Sequence, residues 1–147
     1  MKMAFDEAAQ TSSLGIGGPF GACIVKNGEV VAVASNTVLR DKDPTCHAEM
    51  NAIRKACKVL DTYDLSDCVL YTTGYPCTMC LSAIIWANIK TVYYGCRAKD
   101  AENIGFRDDM IYRYINGSEK GILNIEQLNR KDCLQLFENY TKNGVIY

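Results

Sequence analysis

Two short groups of metal-capable residues constrain this 147-residue chain more than any other feature: His47-Ala48-Glu49 and Pro76-Cys77-Thr78-Met79-Cys80. Each stands where a helix opens directly after a loop or strand. Side chains at i and i+3 share a helix face, so the sulfurs of Cys77 and Cys80 can point at one ion. Thiolates at such a position gain from exposed N–H groups and the helix dipole. With the two helices side by side, His47 supplies a third ligand. It is the only histidine, so no other His-based metal site can be built. Three protein ligands plus an open position describe a catalytic zinc site, whereas structural sites are usually closed by four. Glu49 would stand beside the open position without binding the metal, placed to take a proton from activated water and hand it to a leaving amine.

Neither half of this constellation is informative alone. A lone His-x-Glu is common, and a lone Cys-x-x-Cys fits a redox pair or half of a zinc ribbon. A redox motif needs no His-x-Glu upstream, and a ribbon needs a second Cys-x-x-Cys, which the sequence lacks. Two rivals stay beside the hydrolytic reading. One is a non-catalytic zinc-binding interaction module. The other is a thiol oxidoreductase in which Cys77 and Cys80 form a disulfide.

The periodicity along the chain says how the two helix starts could meet. Residues 2–13 have helical composition and end before the run Gly15-Ile16-Gly17-Gly18-Pro19. Phe20 to Val25 and Val30 to Ser35 are apolar runs joined by Asn27-Gly28, a type I′ turn signal, and predict a β-hairpin. Asp43-Pro44-Thr45 is a helix-start signature. From Cys46 to Leu60 apolar residues recur at three- and four-residue spacing, as on an amphipathic helix. Asp67 to Thr72 reads as a buried strand, Cys77 to Ala87 as a helix and Thr91 to Gly95 as a strand. Helix, strand, helix, strand implies βαβ units, with helices packed on a sheet. Further on, Ile104 to Ile115 suggests a short helix, Gly121 to Ile125 a strand and Leu128 to Tyr140 a longer helix.

Composition narrows the partners. Apolar residues make up 48 % and charged residues 22 %, ordinary for a soluble domain. The formal net charge is −1 with no run of Lys or Arg, which gives no support to a polyanionic partner. A small, weakly charged substrate suits this balance better. No segment has the roughly 20 apolar residues of a membrane span, and the N-terminus lacks the apolar stretch of a secretory leader. A cytoplasmic location is expected. The eight cysteines are many for this length. Cys23, Cys57, Cys68 and Cys96 sit in apolar stretches and are expected in the core, where Cys acts as a small hydrophobe.

His-Ala-Glu followed by Pro-Cys-x-x-Cys resembles the signature of the cytidine deaminase-like superfamily of zinc deaminases. The likeness runs over nearly the whole chain. It implies one α/β domain over 1–147 with a three-layer α/β/α fold around a mixed five-stranded sheet. It also implies a Zn2+ cofactor and hydrolytic loss of an exocyclic amino group. Within the superfamily the chain is most similar to bacterial guanine deaminases. The similarity lies in 17–22, 43–49, Ile85-Trp86-Ala87 and 105–112. That resemblance implies guanine as substrate, with Asn36 and Asp108 contacting the purine and Asp108 also a candidate proton carrier. Phe20 and Trp86 would pack around the base, and Ala48 would join the substrate-binding set. A C-terminal Tyr, here Tyr147, would close the pocket. It further implies a homodimer in which the C-terminal segment, about 120–147, is exchanged between subunits. A side-chain amide can both donate and accept along a heterocycle edge, a carboxylate can accept from a ring N–H or relay a proton, and flat aromatic faces grip a purine. Two departures bear on the substrate. Tyr75 stands where this branch usually has Glu, and Cys46 stands where Ala is more usual. Cys-His-Ala-Glu with Tyr-Pro-Cys is similar to deaminases acting on pyrimidines, so a cytosine- or cytidine-type substrate stays open. Cys46 is expected to be buried and turned away from the metal ligands.

Overall fold

The computed structural model describes residues 1–146. The chain divides into two compact units, Met1–Tyr112 and Arg113–Tyr147.

The first unit is built on a sheet. Helix α1 (Lys2–Ser13) leads into β1 (Gly21–Lys26) and β2 (Glu29–Ser35). Asn27 and Gly28 between them both adopt positive φ, as the sequence signal for the hairpin required. A short helix α2 (Val38–Asp41) precedes α3 (Ala48–Leu60), β3 (Cys68–Gly74), α4 (Thr78–Trp86) and β4 (Thr91–Cys96). Strand order is β2-β1-β3-β4. β1 runs antiparallel to β2 and β3, while β3 and β4 are parallel, joined through α4. The alternation read from the sequence is therefore present, with the α/β class it implied.

Strand alternation sorts the helices onto two faces. Ala22, Ile24 and Leu70 point into one core with Ala48, Ala52, Ile53 and Ala56 of α3 and Ile84 of α4. Gly21, on the opposite parity, lies against the Ala4 carbonyl of α1. A Cβ there would overlap that oxygen, so only glycine lets α1 pack this closely. The central strand β3 alternates buried and half-buried residues along its whole length, which fixes its register.

Three expectations are corrected. The sheet has four strands among the described residues, where the resemblance implied five. The segment 121–125 forms no strand, because an extended run needs a neighbour to satisfy its N–H and C=O groups and none pairs with it here. Cys96 is exposed instead of buried: it ends β4, which among the described residues pairs only with β3 and is the edge of the sheet. Cys23, Cys46 and Cys68 are buried and Cys57 is half-buried. After β4 comes α5 (Ala98–Asn103), which the periodicity did not signal; the Asp100 carboxylate accepts the Arg97 N–H at its start, 2.8 Å away. Next is α6 (Asp109–Ile115), inside the stretch read as a short helix.

The second unit contains α7 (Arg130–Asn143), two residues later than expected at its start. None of its residues is buried, although Cys133, Leu136, Phe137 and Tyr140 recur at helical spacing. Among the described residues no helix is long and apolar enough to cross a membrane.

Candidate metal centre and substrate cavity

His47 is the N-cap of α3 and Cys77 the N-cap of α4, both in extended conformation. Their carbonyls accept the first helical bonds, from Asn51 N–H at 2.9 Å and Leu81 N–H at 2.8 Å. Cys80 sits one turn into α4 and is fully buried. The ligand atoms of His47, Cys77 and Cys80 all lie within 4.8 Å of one another.

The spacing fits zinc closely. Tetrahedral bonds of about 2.3 Å to sulfur and 2.0–2.1 Å to nitrogen put N and S roughly 3.5 Å apart. His47 Nδ1 lies 3.5 Å from Cys77 Sγ and 3.6 Å from Cys80 Sγ. Charge makes the same point. The neighbouring Cys80 and His47 favour a thiolate at Cys77 and pull its pKa well below the usual thiol range. Cys80 in turn holds its proton tightly: it lies beside that thiolate, is buried, and its Sγ donates to Glu49 Oε2 at 3.5 Å. Two thiols whose pKa values are pushed apart in this way are the kind of pair that a dication would let ionise together. Among the described residues this is the one cluster of its kind.

Glu49 lies beside the set and outside it. It is 6 % exposed, with Oε1 accepting from Thr72 Oγ1 at 3.0 Å and Oε2 lying 3.5 Å from Cys80 Sγ. Burial raises its pKa.

In front of these groups opens a cavity of about 700 Å3, whose wall includes Phe20, Asn36, His47, Glu49, Cys77 and Asp108. Asn36 is buried at the end of β2, and its Oδ1 accepts from Gly18 N–H (3.1 Å) and Val38 N–H (3.2 Å). The oxygen is thus engaged, so the amide offers a ligand its NH2 donors. Gly17 makes this fit possible, since a Cβ there would overlap the Asn36 carbonyl and side-chain oxygens. Asn51 ties the loop to the metal helix. Its NH2 bonds Ser35 O (3.0 Å) and Thr37 Oγ1 (2.9 Å), one turn from His47. Asp108 is half-buried at the start of α6, its pKa raised by burial and then by the Cys77 charge.

Not every expected residue meets at the cavity. Ala48 is fully buried between His47 and Glu49 and does not form its wall. Trp86, the last residue of α4, is 76 % exposed and does not reach it. Tyr147 lies outside the described residues. Cys46 is buried, as expected, and is not in the ligand cluster. The structure adds Tyr75 and Phe106. Phe106 meets Phe20 edge-on with centroids 5.0 Å apart, and Tyr75 meets Tyr94 edge-on at 5.1 Å. Phe106 lies inside the 105–112 stretch that the resemblance had already marked. Tyr75 stood out only as a departure from a pattern. Thr72 carried no sequence signal.

Residues 1–96 match the model of the cytidine and deoxycytidylate deaminase zinc-binding region. The chain is 52 % identical over 116 residues to guanine deaminase of Bacillus subtilis, covering 79 % of this chain and 74 % of that protein. It is 43 % identical over 99 residues to tRNA-specific adenosine deaminase of Aquifex aeolicus, covering 67 % and 65 % respectively. Its fold matches the X-ray structure of guanine deaminase from Bacillus subtilis with a TM-score of 0.92 at 43 % identity, over 99 % of this chain and 95 % of that one. A His-Cys-Cys set that fits zinc, with a buried carboxylate beside it, is thus joined to a matching sequence model and fold, and the chain belongs to the cytidine and deoxycytidylate deaminase family as a zinc-dependent deaminase.

Proposed function

We propose that the chain hydrolyses guanine to xanthine and ammonia. The observation that carries hydrolysis is Glu49, held beside a His-Cys-Cys set with Oε1 accepting from Thr72 and Oε2 from the Cys80 thiol, on the side of the ligands. Guanine is supported by the relative and the structure that bear the name guanine deaminase.

His47, Cys77 and Cys80 would hold the metal. When bound, zinc supplies a Lewis acid that makes water nucleophilic near neutral pH. Glu49 takes one proton from the attacking water as its oxygen bonds to C2 of the base. The same carboxylate delivers that proton to the 2-amino nitrogen, the C2–N bond breaks and ammonia leaves. Asn36 directs its NH2 donors to an acceptor on the purine edge, which fixes the base in the plane of attack. Asp108 accepts from a ring N–H or assists protonation of the leaving nitrogen. Phe20, braced edge-on by Phe106, lies along the face of the base.

An ammonia-release assay over guanine, guanosine, adenine, cytosine and cytidine tests the choice, with zinc measured on the same sample. Turnover of guanine is expected. Turnover of cytosine or cytidine in its place would transfer the site to the pyrimidine reading that Tyr75 and Cys46 keep open. Glu49→Ala is expected to lower kcat by about 100- to 10,000-fold with zinc retained. Unchanged function in that variant would sink the enzymatic reading in favour of a zinc-binding interaction module.

We further propose a homodimer in which the segment 120–147 is exchanged between copies. The free edge of β4 and the uncovered apolar stripe of α7 support it. Eight cysteines without disulfides suit a reducing, cytoplasmic compartment.

A further inference from the structure

Strand β3 presents Cys68, Leu70, Thr72 and Gly74 to the core shared with α3. Three of these are apolar or small; Thr72 alone carries a hydroxyl, and it is 0 % exposed. A buried hydroxyl is costly unless bonded, and Val would fill the same volume without that cost. The hydroxyl has one purpose visible in the structure: Thr72 Oγ1 donates to Glu49 Oε1 at 3.0 Å. The backbone under it is rigid. Thr72 stands opposite Ala22 of β1 and Tyr94 of β4, so both edges of its strand are paired. Its partner is also buried, and the two are 23 residues apart in sequence, so no local turn accounts for their meeting.

We propose that Thr72 is a positioning residue that dedicates the two oxygens of Glu49 to different tasks. It anchors Oε1 against the sheet and leaves Oε2 as the oxygen that carries the proton. Oε2 is the one that lies 3.5 Å from Cys80 Sγ, on the side of the metal ligands. Without the anchor, the carboxylate can turn about its terminal torsion, which is broad for Glu, and Oε2 is no longer held at the reacting centre. The inference rests on Glu49 being the proton shuttle.

The test compares Thr72→Val, Thr72→Ser and Glu49→Ala in the zinc-loaded protein, with guanine or whichever base the wild type turns over. Thr72→Val is expected to lower kcat about 10- to 100-fold, with KM and zinc content within twofold of wild type. Affinity for hypoxanthine, which lacks the 2-amino group and cannot react there, should also stay within twofold. Thr72→Ser, which keeps the hydroxyl, should hold kcat within about threefold. A crystal structure of Thr72→Val should show the Glu49 carboxylate turned from its position in the wild type. A Thr72→Val enzyme with kcat within twofold of wild type overturns the proposal. So does a Thr72→Ser enzyme that falls as far as Thr72→Val, since that pattern belongs to lost packing. If Thr72→Val does not fold, Thr72→Ala against Thr72→Ser reads the same difference. An active Glu49→Ala removes the shuttle itself, and so separates failure of that reading from failure of the anchor.

Discussion

Asn36 couples backbone order to the wall of the cavity. Its oxygen is shared by Gly18 and Val38 N–H groups, while its NH2 is the group the proposed function turns to the base. From sequence, the amide could donate and accept; the fold has already used the acceptor. Asn36→Ala therefore removes a donor from the cavity and strands two backbone donors, at about 1–3 kcal/mol for each group left unsatisfied. The expected result is a raised KM for the base together with a lowered melting temperature, read from steady-state kinetics and thermal unfolding. Gly17 belongs to the same arrangement. Gly17→Ala forces a methyl into the Asn36 oxygens and should cost about 1–3 kcal/mol, measured by denaturant unfolding.

The two metal-bearing helices were legible in the sequence because their signals are local. Pro44 and Pro76 sit just ahead of the helix starts, and the apolar spacing of α3 is regular. Side-by-side placement of the two helices was the condition for His47 to join Cys77 and Cys80, and the fold meets it. What was not legible depends on partners distant in sequence. Thr72 reads as an ordinary strand residue until β3 sets it under Glu49. Phe106 and Tyr75 gain meaning only through Phe20 and Tyr94. Cys96 looked like core because Val and Tyr surround it, yet β4 is an edge. At this scale the testable consequence is metal removal. Stripping zinc leaves Cys80 protonated beside a Cys77 thiolate and unties α3 from α4. Chelation should abolish deamination and lower the melting temperature, and added Zn2+ should restore both. A chelated protein that melts where the loaded one does would show that the metal contributes nothing to holding the helices.

Several large apolar side chains are exposed at the scale of the whole molecule. Leu136 and Phe137 of α7 are 67 % and 69 % exposed, and Trp86 and Ile85 on α4 are similarly open. Exposed apolar patches of this kind mark association surfaces. A fifth strand was expected from the resemblance and is missing from the sheet, while β4 offers an unpaired edge of the sort that accepts another strand. The proposed exchange of 120–147 between copies would account for both at once, with a partner's segment pairing with β4 and covering its aromatic face. Phe137→Glu discriminates. In an isolated chain a charge at this exposed position changes stability by less than about 0.5 kcal/mol. In an exchanged dimer it buries a carboxylate against apolar groups, so dimers should give way to monomers in light scattering coupled to size exclusion. Activity should fall with dimer content and recover at higher protein concentration. A Phe137→Glu protein that stays dimeric and fully active would place the interface elsewhere and leave the α7 stripe without a role in assembly.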